Sequence, residues 1–179
     1  MKIKFKFLQV YEQRLNEKAI VIPWEEIKAK IALLEEFWKS KGESIEKAFK
    51  DITGLSFVEN DIVCYLNSGK SFSEPLTIKM EENLDTCDNL VHELIHVLLT
   101  QNEVAFSPGW KALLDLFKNE TKLTKVHIAV HAIHYLVAEK VIPDRIRRIE
   151  SYSTTPDYVK SWEIVKKETP QKIVDLIFK

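Results

Sequence analysis

The five histidines of this 179-residue chain fall into two groups, and both are spaced to bind a metal. The first group is His92-Glu93-Leu94-Ile95-His96. On a helix, residues four apart stand one turn apart on the same face, so both imidazoles can reach a single tetrahedral cation. Glu93 leans to one side of that pair. There it can take a proton from a metal-activated water without becoming a ligand, which divides the work into two ligands and one general base. Leu90, Val91, Leu94, Ile95, Val97, Leu98 and Leu99 make this stretch apolar on almost every side. Such a helix is expected to be buried. Buried imidazoles and a buried carboxylate need a partner, which a cation supplies.

The second group is His127, His131 and His134, in VHIAVHAIHYLV. Positions i, i+4 and i+7 also share one helix face. Hydrolytic zinc sites normally use three protein ligands and leave the fourth position to water. The third ligand is therefore expected from this row. His131, the central member, is the expected ligand, with His127 and His134 as alternatives or as donors that orient the ligands and polarise substrate. Glu139 and Glu103 are outside candidates.

The elements that must position these groups can be read from periodicity and punctuation. Ile3, Phe5 and Phe7 alternate with Lys2, Lys4 and Lys6, the period of a half-buried strand. Pro23 opens a helix whose stripe is Ile27, Ile31, Leu34 and Trp38, and Gly42 is expected to end it. A short helix is expected over 44–53, stopping at Gly54. Strands are expected over 57–66 and 75–80, with a turn at Asn67-Ser68-Gly69-Lys70-Ser71 between them. Helices then follow over 85–101, 108–119, 124–142, 156–167 and 170–178. Pro143 stops the third of these. The pattern predicts a single α+β domain: an α/β part over 1–82, metal-binding helices over 83–143 and a helical cap over 144–179. Trp162, Ile164, Val165, Ile173, Val174 and Ile177 in that cap are expected to face its core.

Composition removes several alternatives. A chain that is 45% hydrophobic and 30% charged is that of an ordinary globular protein. With four glycines there is no Gly-rich phosphate loop, and a net charge of -1 with interleaved signs leaves no footprint for nucleic acid. Arg145, Arg147 and Arg148 are followed by Glu150 and read as a solvated face. No stretch has the length of a membrane span or the apolar run of a secretory leader, so a cytoplasmic location is expected. Cys64 and Cys87 form neither a disulfide framework nor a CxxC pair, and both read as packed thiols.

On these residues the chain resembles the zincin metallopeptidases, over about half its length, from Pro75 to Pro143. In that family a short edge strand precedes the helix with the HExxH motif, as Pro75–Met80 precedes His92-Glu93-Leu94-Ile95-His96. The resemblance implies a zincin-like α+β fold, a Zn2+ cofactor and a peptide or protein substrate aligned along the backbone of Thr77–Met80 by strand addition. Within the clan the chain is similar to the gluzincin branch and its compact members, whose third ligand comes from a separate downstream helix. The metzincin pattern requires a glycine and a histidine where this chain has Leu99 and Asn102. Gluzincins usually supply a downstream glutamate, whereas this helix offers histidines. The Ile142-Pro143 step is distantly similar to that of ImmA/IrrE-type regulatory proteases.

The implied reaction is peptide hydrolysis by metal-activated water, with Glu93 as general base and His134, His127, Tyr135 or Tyr152 as a second electrophile for the oxyanion. The alternative is a zinc-binding regulatory or interaction module on the same scaffold without general proteolytic activity. The intact Glu93 favours the enzyme, because a purely structural site does not need that carboxylate.

Overall fold

A computed structural model of the chain describes residues 1–9, 12, 22–82, 84–151 and 155–179. The architecture is mixed α and β and mostly helical, as the alternation of strand and helix periods predicts. The chain forms two compact units, Met1–Glu43 with Phe57–Val97, and Ser44–Ser56 with Leu98–Lys179.

The first unit is built on a mixed sheet. Strand β1 (Lys2–Phe7) pairs in parallel with β2 (Asp61–Asn67), so that Phe5 lies beside Cys64. The parallel pairing requires a crossover, and helix α1 (Trp24–Thr53) supplies it. Glu25 and Glu26 favour the α1 N-terminus through its dipole. The left-handed Gly54, at φ 74°, ends the helix with its N–H on the Lys50 carbonyl at 2.8 Å.

Gly42 does not end a helix as expected: α1 continues through it as one 30-residue element. The Trp38 indole lies over this position, and a Cβ there would stand 2.8 Å from the ring. The glycine thus makes room for an aromatic side chain one turn earlier, and that packing outweighs its poor helix propensity.

β2 is followed by a turn organised by the buried Asn67. Its side-chain oxygen accepts from the N–H groups of Gly69 (2.5 Å) and Lys70 (2.9 Å), the turn chemistry expected of this sequence. Two further strands complete the sheet, β3 (Phe72–Ser73) and β4 (Leu76–Lys79), in the order β1-β2-β4-β3.

This order corrects the expected substrate edge at Thr77–Met80. β4 pairs with β2 on one side and with antiparallel β3 on the other, Phe72 opposite Thr77 and Ser73 opposite Leu76. Beyond β3, the Lys79 N–H donates to Ser71 Oγ at 2.9 Å, and the Met80 N–H to the Asn67 carbonyl at 2.8 Å. The two-residue β3 is too short to show a strand period in sequence, yet it occupies the edge. Phe5, Leu34, Ile62, Leu66, Leu76, Ile78, Leu90, Leu94 and Ile95 are buried side chains of this unit.

The second unit is helical. Its main elements are α3 (Pro108–Leu116), α4 (Lys122–Val141), α5 (Ile146–Ser151), α6 (Pro156–Glu168) and α7 (Pro170–Phe178). α4 packs against α6 and α7, and α3 packs against α7. At the last contact a Cβ on Gly109 would lie 2.1 Å from the Ile177 carbonyl oxygen, so only glycine lets the two backbones approach so closely. Trp162, Ile164, Val165, Ile173, Val174 and Ile177 are all buried, as expected of core-facing positions. The arginine-rich stretch at 145–150, read from sequence as a solvated face, carries the short helix α5, which buries Ile149. No helix among the described residues is long and apolar enough to cross a membrane.

Candidate metal centre

Helix α2 (Asp85–Gln101) carries the first histidine pair. Asp85 and Asp88 suit its first turn. The Thr86 hydroxyl latches its entry, accepting from the Glu81 N–H at 2.9 Å and donating to the Glu81 carbonyl at 3.0 Å. Leu90, Val91, Leu94, Ile95, Leu98 and Leu99 are buried, as their pattern predicts. His92 and His96 are half-buried, with ring centroids 5.2 Å apart. The i, i+4 spacing thus sets the two imidazoles side by side.

Glu93 is buried, and that burial pushes its carboxyl up to about 8. The fully buried Cys64 of β2 is close enough to feel the Glu93 charge. Burial first, and that charge second, push its thiol far above its ordinary range, so it is an inert packing group. A divalent cation beside Glu93 would draw its carboxyl back towards the ionised form.

Helix α4 presents the second group. Thr121 caps it, accepting from the Thr124 N–H at 3.0 Å, and Lys140 suits its last turn. His127, His131 and His134 are all buried, so all three are in low-dielectric surroundings. Burial lowers the His134 pKa to about 3 and also lowers that of His127, the latter opposed by a backbone hydrogen bond and by Asp157. Both imidazoles are therefore held neutral, the form in which a histidine can ligate a metal.

The three histidines have different partners. His127 Nδ1 lies 2.9 Å from the Leu123 carbonyl oxygen, which can only accept. The proton is therefore on Nδ1, and Nε2 carries the lone pair. His131 Nδ1 lies 2.8 Å from Ser161 Oγ, whose own hydrogen goes to the Tyr158 carbonyl at 2.8 Å. The imidazole is again the donor. The His131 ring also stacks on Trp162, with centroids 4.3 Å apart and planes 8° from parallel.

Among the described residues, the group of side chains that could hold a metal ion is His92, His96 and His127, whose ligand atoms all lie within 4.8 Å of one another. His127 is in this group and the expected His131 is not; the His131 ring is engaged with Ser161 and Trp162. His134 is not in the group either. Tetrahedral zinc with Zn–N bonds of about 2.0–2.1 Å sets its ligand nitrogens roughly 3.4 Å apart. That spacing lies inside the observed bound, and three imidazoles are a donor set that zinc accepts, so the residues fit the ion. Glu103 and Glu139 are exposed and outside the group, Tyr135 is half-buried on α4, and Tyr152 lies outside the described residues.

Sequence reasoning missed Asp157, Tyr158 and Ser161, which α6 brings onto the histidine face of α4. Asp157 accepts from the hydroxyls of Thr121 and Thr124, the second at 2.7 Å, and these bonds hold its carboxyl below the usual range. Tyr158 lies against His127, with ring centroids 4.0 Å apart. The available signal was the helical spacing of 157, 158, 161, 162 and 165, a face that mixes polar groups with Trp162 and Val165. Comparison of the chain with protein-family models, with curated proteins and with solved structures finds no match.

Proposed function

We propose that this chain is a zinc-dependent metallopeptidase in which His92, His96 and His127 hold the metal and Glu93 is the general base. The observation that carries this reading is a group of three histidines, two of them from the HExxH sequence, that could hold a metal ion, with ligand atoms within 4.8 Å of one another. Zinc, when bound, supplies the Lewis acid that activates water and polarises a peptide carbonyl. Glu93, next to His92 in the chain, takes the proton of the attacking water and passes it to the leaving amine. Its place beside His92 on the helix supports that role, and a divalent cation held there would keep the buried carboxyl in the ionised form that can accept a proton.

The zincin-like fold belongs to the same reading. It is supported by the resemblance of the sequence, by a mixed sheet and by an HExxH helix that follows β4. The three-histidine donor set is the departure from the gluzincin pattern. The substrate is a peptide or protein. A cytoplasmic location goes with this reading and is supported by two cysteines that are not disulfide-bonded.

Elemental analysis of the purified chain, followed by digestion of an unfolded protein with and without a chelator, tests the proposal. About one zinc per chain and cleavage that the chelator stops are the expected results. No bound metal after zinc has been supplied would overturn it. Stoichiometric zinc with no cleavage across a peptide library would reassign the chain as a metal-binding regulatory module.

A further inference from the structure

One face of α6 meets the start and the histidine face of α4 at three successive points. Asp157 is bonded to the hydroxyls of Thr121 and Thr124, which fixes the start of α6 against the start of α4. Ser161, one turn later, receives the His131 Nδ1 proton at 2.8 Å. Tyr158 lies between these anchors. Its ring meets His127 at 4.0 Å between centroids with 35° between planes, and meets His131 edge-on at 5.4 Å.

A histidine side chain has two soft torsions, and a ligand must fix both to aim Nε2 at a metal. The bond from Nδ1 to the Leu123 carbonyl constrains the ring at one atom, about which it could still rock. A flat ring against one face of the imidazole blocks that rocking. Trp162 and Ser161 act on His131, which is outside the metal group, whereas the Tyr158 ring lies against His127, which is in it.

We propose that Tyr158 is a positioning residue of the metal centre, its ring holding the His127 imidazole at the angle that presents Nε2 to the ion. This inference rests on the metal-centre reading above. Groups that orient a ligand from behind typically account for 10–100-fold in metal affinity.

The test uses the full chain as wild type, Tyr158→Phe and Tyr158→Leu. Zinc affinity is measured by competition with a chromophoric chelator, and Co2+ is bound in parallel to record its visible absorption. Tyr158→Leu is expected to lose 10–100-fold in zinc affinity and to alter the Co2+ bands, which report ligand geometry and which loss of stability alone would not move. Tyr158→Phe keeps the ring and is expected to bind as wild type does. If Tyr158→Leu does not fold, Tyr158→Met, similar in volume but without a flat face, takes its place with the same expectation. A leucine or methionine variant with wild-type affinity and spectrum would overturn the inference while leaving the metal centre intact. A phenylalanine variant as weak as the leucine one would also overturn it, assigning the effect to the hydroxyl. A wild-type chain that binds no zinc would overturn the metal centre itself, and this inference with it.

Discussion

Replacing His127 and His131 separately by alanine distinguishes a ligand from a packed neighbour, because both are buried and they lie one turn apart on the same helix. His131→Ala removes the stack on Trp162 and the hydrogen bond to Ser161. The stack is worth about 0.5–1.5 kcal/mol and the hydrogen bond about 1 kcal/mol. With the cavity left behind, the total comes to roughly 2–4 kcal/mol. For a chain of this length that corresponds to a fall in Tm of roughly 5–15 °C. Zinc content should stay near one per folded chain. His127→Ala should do the opposite. It removes one of three donors, a larger loss than the 10–100-fold that follows loss of an orienting group, so zinc should not survive gel filtration. Its ring contacts are with Tyr158 and His131, and its melting temperature in metal-free buffer should fall by no more than that of His131→Ala. The assay is elemental analysis of the folded fraction together with thermal melting in chelator. Zinc lost from His131→Ala and retained by His127→Ala would refute the assignment and return the third ligand to His131.

Three further outcomes follow from the geometry. Glu93→Gln should retain zinc while hydrolysis falls at least 10²–10⁴-fold, as loss of a general base predicts; turnover near the wild-type rate would remove Glu93 from that role. The His134 pKa is lowered from 6.5 to about 3, so the unfolded chain takes up a proton at higher pH than the folded one does. The contribution of its neutral form is fully present above about 6.5 and is lost as pH falls towards 3, costing roughly 2 kcal/mol by pH 5. Urea denaturation of metal-free wild type and His134→Met at pH 7 and pH 5 should show that loss in the wild type alone, and equal losses would refute it. Gly109→Ala sets a methyl group on the Ile177 carbonyl, 2.1 Å away, and should destabilise the α3–α7 contact by about 1–3 kcal/mol or more, read as a lowered urea midpoint. An unchanged midpoint would mean that the backbones separate at no cost.

What the sequence determined by itself was local. The HExxH helix is found at the expected 85–101 because its apolar surround and its strand-turn-helix context are properties of neighbouring residues. The i, i+4 spacing was enough to put His92 beside His96. The histidine row on α4 was equally legible, but not which of its members falls in the possible metal group. His127, His131 and His134 share one face, so periodicity cannot tell them apart. Their heights along the helix axis differ, and side-chain period carries no information about which height a distant partner needs. The same holds for partners distant in sequence. Ser161 and Trp162 engage His131 across 30 residues, and a two-residue strand takes the sheet edge that β4 was expected to occupy. Gly42 reads as a stop until the Trp38 ring is seen to need its missing side chain. Local hydrogen bonding and side-chain period fix where helices and strands lie, whereas the partners of each α4 histidine and the strand at the sheet edge depend on long-range contacts that leave no period in the sequence.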